Sequence, residues 1–427
     1  MVVRVDVEKV PDWHRFRSLI AMYALHGLNI ALPLLTLPVI TRTLGPSDYG
    51  RYGVMLNWLG MGVILIEFGM GVQATKVIAD SDEASARREL ATTIVHQTIN
   101  AFCALPLLGL AAWLWMRPVP DPVPMALMLG GAWALGLSTL WYRVARANVP
   151  RLLPATLIAK IANLVLVLAL LPRQPTLTVA LCANFASGFW PVLDLWPVRK
   201  DVWRAVRDFR RQEWLSSLRL SFAVPLQRVG SAMYLLLPAT LVASFFGLQV
   251  AGWYVLSDRI IRAGTGLFQP LTSTLFPLQL EVRNLPGDAP ARHRLHRYLL
   301  ATIGASVLAS LFTFVAAGHA VRLIGGEPFA PAALFLRWMS PLLALITINM
   351  ALSNQLYVLD RAGVIARAVW ISGLSFAAAI FVFGRQSPSM FAACCTAVEA
   401  MVGVWLLIDW RTHRAKIALQ PIEERSS

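Results

Sequence analysis

The residues able to do chemistry sit where water should be absent. The stretch Tyr254–Gln269 is long and apolar, yet it carries Asp258, Arg259 and Arg262, followed by Gly266 and Gln269. Arg259, Arg262, Gly266 and Gln269 recur at i, i+3, i+7 and i+10, which places them on one face of a helix. Asp258 and Arg262 are four apart and can pair with each other. Elsewhere, Arg228 stands with Ser231 at i+3, and Lys160 lies between Thr156 and Asn163 at i, i+4 and i+7. Arg337, Ser340, Thr347 and Asn354 follow at i, i+3, i+10 and i+17. His26, Asn29 and Asn57 add polar groups, and Glu67 follows Asn57 at i+10. Charge at membrane depth costs several kcal/mol, so such residues mark a function by default, although Arg337 and Lys160 are also able to snorkel to an interface. Cations facing a cavity suit an anionic, phosphate-bearing ligand, because guanidinium forks match phosphate oxygens. The candidate ligand-binding set is therefore Arg262, Arg259, Arg228, Arg337 and Lys160. Of the four acids available to take up a proton (Glu67, Asp194, Asp258 and Glu399), Glu67 and Asp258 are best placed for coupling.

The elements that position these residues are read from composition. The 427 residues are 57% hydrophobic and 14% charged, with a mean hydropathy of +0.60. Soluble domains are nearer half apolar and a quarter charged. A conventional cytosolic enzyme and a disordered scaffold are both excluded. A span needs about 20 apolar residues, and twelve such stretches appear: 18–41, 52–75, 90–116, 122–142, 154–171, 176–196, 220–245, 252–278, 298–320, 330–359, 368–384 and 389–408. No cleavable signal peptide is expected ahead of the first. In span eight, Arg262 lies ten residues from the outer end; at about 1.5 Å per residue that is roughly 15 Å, near the bilayer middle.

Orientation follows from the loops. With the N-terminus inside, the cytoplasmic segments hold 27 of the 38 Lys and Arg residues, the opposite loops hold 6, and five lie within spans. This asymmetry predicts cytoplasmic termini. It also accounts for most of the +15 net charge, so no nucleic-acid partner is implied. The expected organisation is a cytoplasmic segment 1–17, a six-helix lobe 18–197, a basic interfacial linker 198–219, a second six-helix lobe 220–408 and a tail 409–427. In the linker, Val202, Val206 and Phe209 fall at helical spacing among Arg204, Arg207, Arg210 and Arg211, the pattern of a helix lying on anionic lipid. LGPSDYGRY (44–52) and FGLQVAGWY (246–254) share Gly45/Gly247, Gly50/Gly252 and Tyr52/Tyr254 at a shift of 202. That suggests a parallel duplication about the membrane normal. The fold class is thus an all-α polytopic membrane protein with about twelve helices in two pseudo-symmetric lobes around a central cavity.

Catalytic signatures are missing: the sequence holds no phosphate-binding Gly-rich loop, no HExxH and no nucleophile elbow. Cys103, Cys182, Cys394 and Cys395 all fall in apolar runs without metal-ligand spacing. No metal, cofactor or enzymatic activity is expected.

At these residues the chain resembles Wzx-type polysaccharide (O-antigen or exopolysaccharide) flippases of the multidrug/oligosaccharidyl-lipid/polysaccharide exporter superfamily. Ala24–Val54, with Pro33, Pro38 and the LGPSDYG turn, is similar to their first helix and hairpin. EFGMG (67–71), YVLSDRIIR (254–262) and LIGGEPFAPAALFLRWMSPL (323–342) resemble further segments of the family. The resemblance implies a two-lobed, MATE-like transporter of the bacterial inner membrane with a cationic cavity. It would move an undecaprenyl-pyrophosphate-linked oligosaccharide to the periplasmic leaflet, among membrane lipids and other polysaccharide-assembly proteins. The family's cavity cations fall on Arg259 and Arg262. A short tail and the lack of an Arg in helix one argue against a peptidoglycan-precursor flippase. Two other readings stand beside it: a cation-coupled drug or metabolite exporter of the same fold, for which intramembrane acids should outnumber cations, and a membrane-embedded polymerase or ligase, for which the outer loops are short.

Overall fold

The computed structural model describes residues 12–78, 81–115, 121–284 and 289–419. The predicted N-terminal segment up to residue 11 and the tail from residue 420 lie outside them. The described residues form helices and contain no strand, as required of a chain whose backbone must satisfy itself within lipid.

Nine helical runs among the described residues are long and apolar enough to cross a membrane. Three features relate that figure to the twelve stretches read from sequence. The run Ile20–Glu67 is two spans, because Gly45 interrupts it with φ 69° and ψ 174°. Ala223–Leu235 and Leu237–Phe246 meet end to end and together make span seven. Leu248–Asn284 is span eight, 37 residues long, with its hydropathy lowered by the charges at 258–262.

Span one carries Pro33 and Pro38 inside its helix. Each proline removes a backbone donor. Hydroxyls back-bond to the helix beside each proline: Thr36 Oγ1 donates to the carbonyls of Leu32 and Pro33 at 3.1 and 3.2 Å, and Thr41 Oγ1 to those of Leu37 and Pro38 at 2.9 and 3.2 Å.

The matched glycines of the duplication have matched conformations. Gly247, at φ 89° and ψ 168°, repeats the left-handed backbone of Gly45, a region open to glycine at little cost. Gly50 and Gly252 show why a side chain is excluded one turn later. A Cβ on Gly50 would fall 2.0 Å from the carbonyl oxygen of Leu248, and one on Gly252 would fall 2.0 Å from that of Pro46. The two helix starts cross backbone against backbone, the close approach that small residues permit.

The chain packs as two units, divided after Gly252. In the first, span two lies on span four through glycines: Gly62 abuts Ala132, Gly131 abuts Leu59 and Gly136 abuts Ile66. Tyr49, Met55, Ile66 and Met128 fill this core. In the second unit, the Tyr254 ring meets Phe335 and Phe391 edge-on at 5.8 and 5.7 Å. Ser257 Oγ ties span eight to span ten by donating to the Ala332 carbonyl at 2.9 Å.

The basic linker is two helices, Arg199–Arg207 and Arg211–Ser221, joined by a turn in which Arg210 is extended. Its apolar stripe is divided between two environments. Val202 packs on the cluster of Ile78, Leu90, Ile94 and Tyr142, and the Phe209 ring sits edge-on to His96 at 6.1 Å. Val206 and Trp203 are exposed, with Trp196 just before them exposed as well. Trp214 Nε1 pins the second helix to span three by donating to Asn100 Oδ1 at 2.9 Å.

Candidate functional site

Span two breaks immediately after Glu67. Phe68 and Gly69 both take positive φ, 45° and 70°. The carbonyl of Ile66, left without an intrahelical donor by the break, accepts from Asn100 Nδ2 at 3.1 Å. The start of span seven packs into the gap: a Cβ on Gly69 would meet Val224 at 2.5 Å, and the Phe68 and Phe222 rings lie 6.4 Å apart. Gln73 Nε2 donates to the Leu220 carbonyl at 3.0 Å. The break is therefore held from two sides, and it brings Glu67 to Arg228. The Arg228 guanidinium donates to the Glu67 carboxylate. The pair remains partly open, with side-chain exposures of 38% for Arg228 and 18% for Glu67. The Ser231 side chain lies outside the described residues.

The second unit holds a similar pair. Arg262 Nε donates to Asp258 Oδ2 at 2.6 Å, one helical turn away, with exposures of 43% and 21%. Arg259 is half-buried beside it, and Gln269 further along span eight is exposed. Gly264 lets span ten approach, since a Cβ there would lie 2.6 Å from Leu343.

The remaining candidates are placed separately. Lys160 is half-buried on span five; its neighbour Thr156 is buried, and Asn163 Nδ2 donates to the Ala183 carbonyl at 2.7 Å. Arg337 is exposed at the end of the helix Ala332–Met339, where span ten breaks before Leu342. Among the described residues, neither Lys160 nor Arg337 has a carboxylate partner. The polar stripe of span ten is mostly turned to backbone. Ser340 Oγ donates to the Arg337 carbonyl at 2.9 Å, Thr347 Oγ1 to that of Leu343 at 2.7 Å, and Asn354 Nδ2 to that of Thr272 at 3.0 Å.

The two other intramembrane acids are engaged in packing. Asp194 is buried and accepts from Thr139 Oγ1 at 2.6 Å, Arg143 Nε at 3.2 Å and Arg143 Nη2 at 2.9 Å. Glu399 accepts from Asn349 Nδ2 at 2.7 Å. Sequence reading missed Arg143, counting it among loop cations. The available signal was Asp194 itself, an acid in an apolar span that needs a cationic partner. Among the described residues no group of three or more His, Cys, Asp or Glu side chains is placed to hold a metal ion.

Chemically, the two half-open pairs hold guanidinium groups in place with part of each side chain exposed. A guanidinium carries five N–H groups, and one carboxylate occupies at most two or three of them. An anion arriving from the open side meets a guanidinium already oriented by its carboxylate.

Residues 16–145 match the model of the family described as Polysaccharide biosynthesis protein. A Shigella dysenteriae protein described as "Putative O-antigen transporter" is 20% identical over 363 residues, covering 84% of this chain and 89% of its own. An Escherichia coli (strain K12) protein with the same description is 22% identical over 348 residues, covering 78% and 81%. Among solved structures, a lipid II flippase MurJ in an inward closed conformation superposes with a TM-score of 0.73 at 12% identity, over 93% of this chain and 87% of that one. An inward-facing multidrug resistance MATE family transporter of the MOP superfamily gives 0.65 at 14% identity, over 93% and 99%. The two structures speak for the fold. With the two relatives and the family match, they bear out the resemblance read from Ala24–Val54. The chain is a multi-pass, MATE-like protein of the bacterial inner membrane.

Proposed function

We propose that this chain flips an undecaprenyl-pyrophosphate-linked oligosaccharide from the cytoplasmic to the periplasmic leaflet, with both termini in the cytoplasm, for surface polysaccharide synthesis. The observation that carries the reading is the intramembrane charge arrangement. Two of the four acids are taken by Arg143 and Asn349. The other two, Glu67 and Asp258, each hold one arginine, while Lys160 and Arg337 have no carboxylate partner among the described residues. A cation excess at membrane depth suits a pyrophosphate better than a cationic drug. The similarity to proteins described as O-antigen transporters over about four fifths of the chain supports a lipid-linked glycan as cargo.

In this reading Arg262, Arg259, Arg228, Arg337 and Lys160 are the cations that the pyrophosphate meets on its route. The headgroup competes with Asp258 and Glu67 for the guanidinium donors. Each carboxylate released from its arginine is then free to bind a proton or another cation, which links substrate binding to the gradient. Alternating access moves the headgroup across while the lipid tail stays in the bilayer. The chain performs no chemistry on its cargo.

The test is complementation of a deletion strain with wild type or Arg262→Ala, followed by the leaflet location of lipid-linked oligosaccharide. Accumulation on the cytoplasmic leaflet, relieved by wild type alone, is the expected result. Full-length oligosaccharide on the outer leaflet of the deletion strain would place the block after flipping and favour a polymerase or ligase.

A further inference from the structure

A second polar site lies in the first unit, away from Glu67 and Arg228. The start of span three and the two linker helices enclose a cavity of about 870 Å³, within the ~300–1,000 Å³ range of small-molecule sites. Span three contributes Glu83, Arg87, Arg88, Thr92 and His96; the linker contributes Asp201, Arg204, Asp208, Phe209, Arg210 and Glu213.

Three features define its chemistry. Its four arginines face four carboxylates, so the wall has no excess charge for a phosphate, unlike the spans. Several of these groups are fixed by one another: Arg87 Nε donates to Glu83 at 3.0 Å, Arg146 Nη2 to Glu83 at 3.2 Å and Arg204 Nη1 to Asp201 at 3.1 Å. Arg88 and Asp208, exposed on opposite walls, make no side-chain hydrogen bond or ion pair among the described residues. Finally, the Phe209 ring is 37% exposed and is steadied from behind by buried His96. A ligand that fits must offer many hydroxyls, each both donor and acceptor, together with an apolar ring face and no net charge.

We infer that this cavity binds the sugar residues of the glycan, with Phe209 stacking on one ring and Arg88 and Asp208 bonding hydroxyls from opposite sides. The inference rests on the flippase reading for the source of the glycan, and on the cytoplasmic assignment of the linker. It places glycan selection on the cytoplasmic face, apart from the cations that meet the pyrophosphate. A zwitterionic ethanolamine-phosphate lipid headgroup would also be charge-balanced, but the aromatic platform favours the sugar.

The test is calorimetric titration of the purified full-length protein. The probe is the host's own repeat-unit oligosaccharide, freed of lipid and phosphate by mild acid. Glycerophosphoethanolamine is titrated in parallel. The oligosaccharide is expected to bind wild type. Arg88→Gln, Asp208→Asn and Phe209→Ala should each weaken binding by roughly tenfold, the scale of one lost hydrogen bond or stacking contact. The first two change exposed side chains, Asp208→Asn isosterically, and keep the test valid if Phe209→Ala fails to fold. No binding to wild type, equal binding by all three cavity variants, or binding of glycerophosphoethanolamine in place of the sugar would overturn the proposal. Failure of the flippase reading looks different: full-length oligosaccharide would then accumulate on the outer leaflet of the deletion strain, whatever the titration shows.

Discussion

The membrane-embedded charges of this protein fall into two kinds. Arg143 and Asp194 form a closed pair, 9% and 6% exposed, with two guanidinium contacts and the Thr139 hydroxyl completing the carboxylate's partners. Glu67–Arg228 and Asp258–Arg262 are more open, with arginines 38% and 43% exposed. The closed pair has both charges satisfied and no free side from which a ligand could approach. The open pairs hold an arginine in place and leave part of it available. The same residue types thus serve packing in one place and recognition in the other. Exposure tells them apart.

Breaking the closed pair should have the largest effect. Arg143→Ala leaves Asp194 as an uncompensated buried charge, a loss of about 3–5 kcal/mol, and folded protein in the membrane should fall sharply on immunoblots of membrane fractions. A normal level would show that the pair is not a packing element. Next, Arg262→Ala and Arg259→Ala should keep normal levels and abolish or strongly reduce export of surface polysaccharide. Wild-type export by both would remove the distinction at its functional end. Smaller still, Glu67→Gln should lower gradient-driven transport more than substrate binding, since Arg228 stays to meet the headgroup while the titratable group is gone. Equal losses in transport and binding would count against coupling. The smallest effect belongs to the double replacement of Arg143 and Asp194 by leucine. Replacing a buried pair by apolar residues is often neutral, so export should stay within about twofold of wild type, measured as surface polysaccharide.

Much of this was legible in the sequence, because membrane insertion writes its rules in plain composition. Twelve apolar stretches, the charge asymmetry of their loops and the repeated glycine turn needed only local reading. Gly45 and Gly247 carry their conformation in their own identity. Asp258 and Arg262 were legible as a pair because helical spacing alone brings them together. Other partners are separated by long stretches of chain. Glu67 and Arg228 stand 161 residues apart and Arg143 and Asp194 stand 51 apart, so no periodicity connects either pair. The linker shows a different obstacle. Its spacing is that of an amphipathic helix, but an apolar stripe does not say whether lipid or protein will cover it. Within one helix, Arg199–Arg207, Val202 packs on protein while the adjacent Trp203 stays outside.

The most direct test of the central claim uses purified protein in liposomes containing undecaprenyl-pyrophosphate-linked oligosaccharide. The fraction of glycan open to a membrane-impermeant glycosidase is followed over time for wild type and for Arg262→Ala. Open intramembrane arginines that engage the pyrophosphate predict that wild type exposes the glycan of the inner leaflet, while Arg262→Ala leaves it protected as in protein-free liposomes. Equal exposure by both proteins would contradict the account.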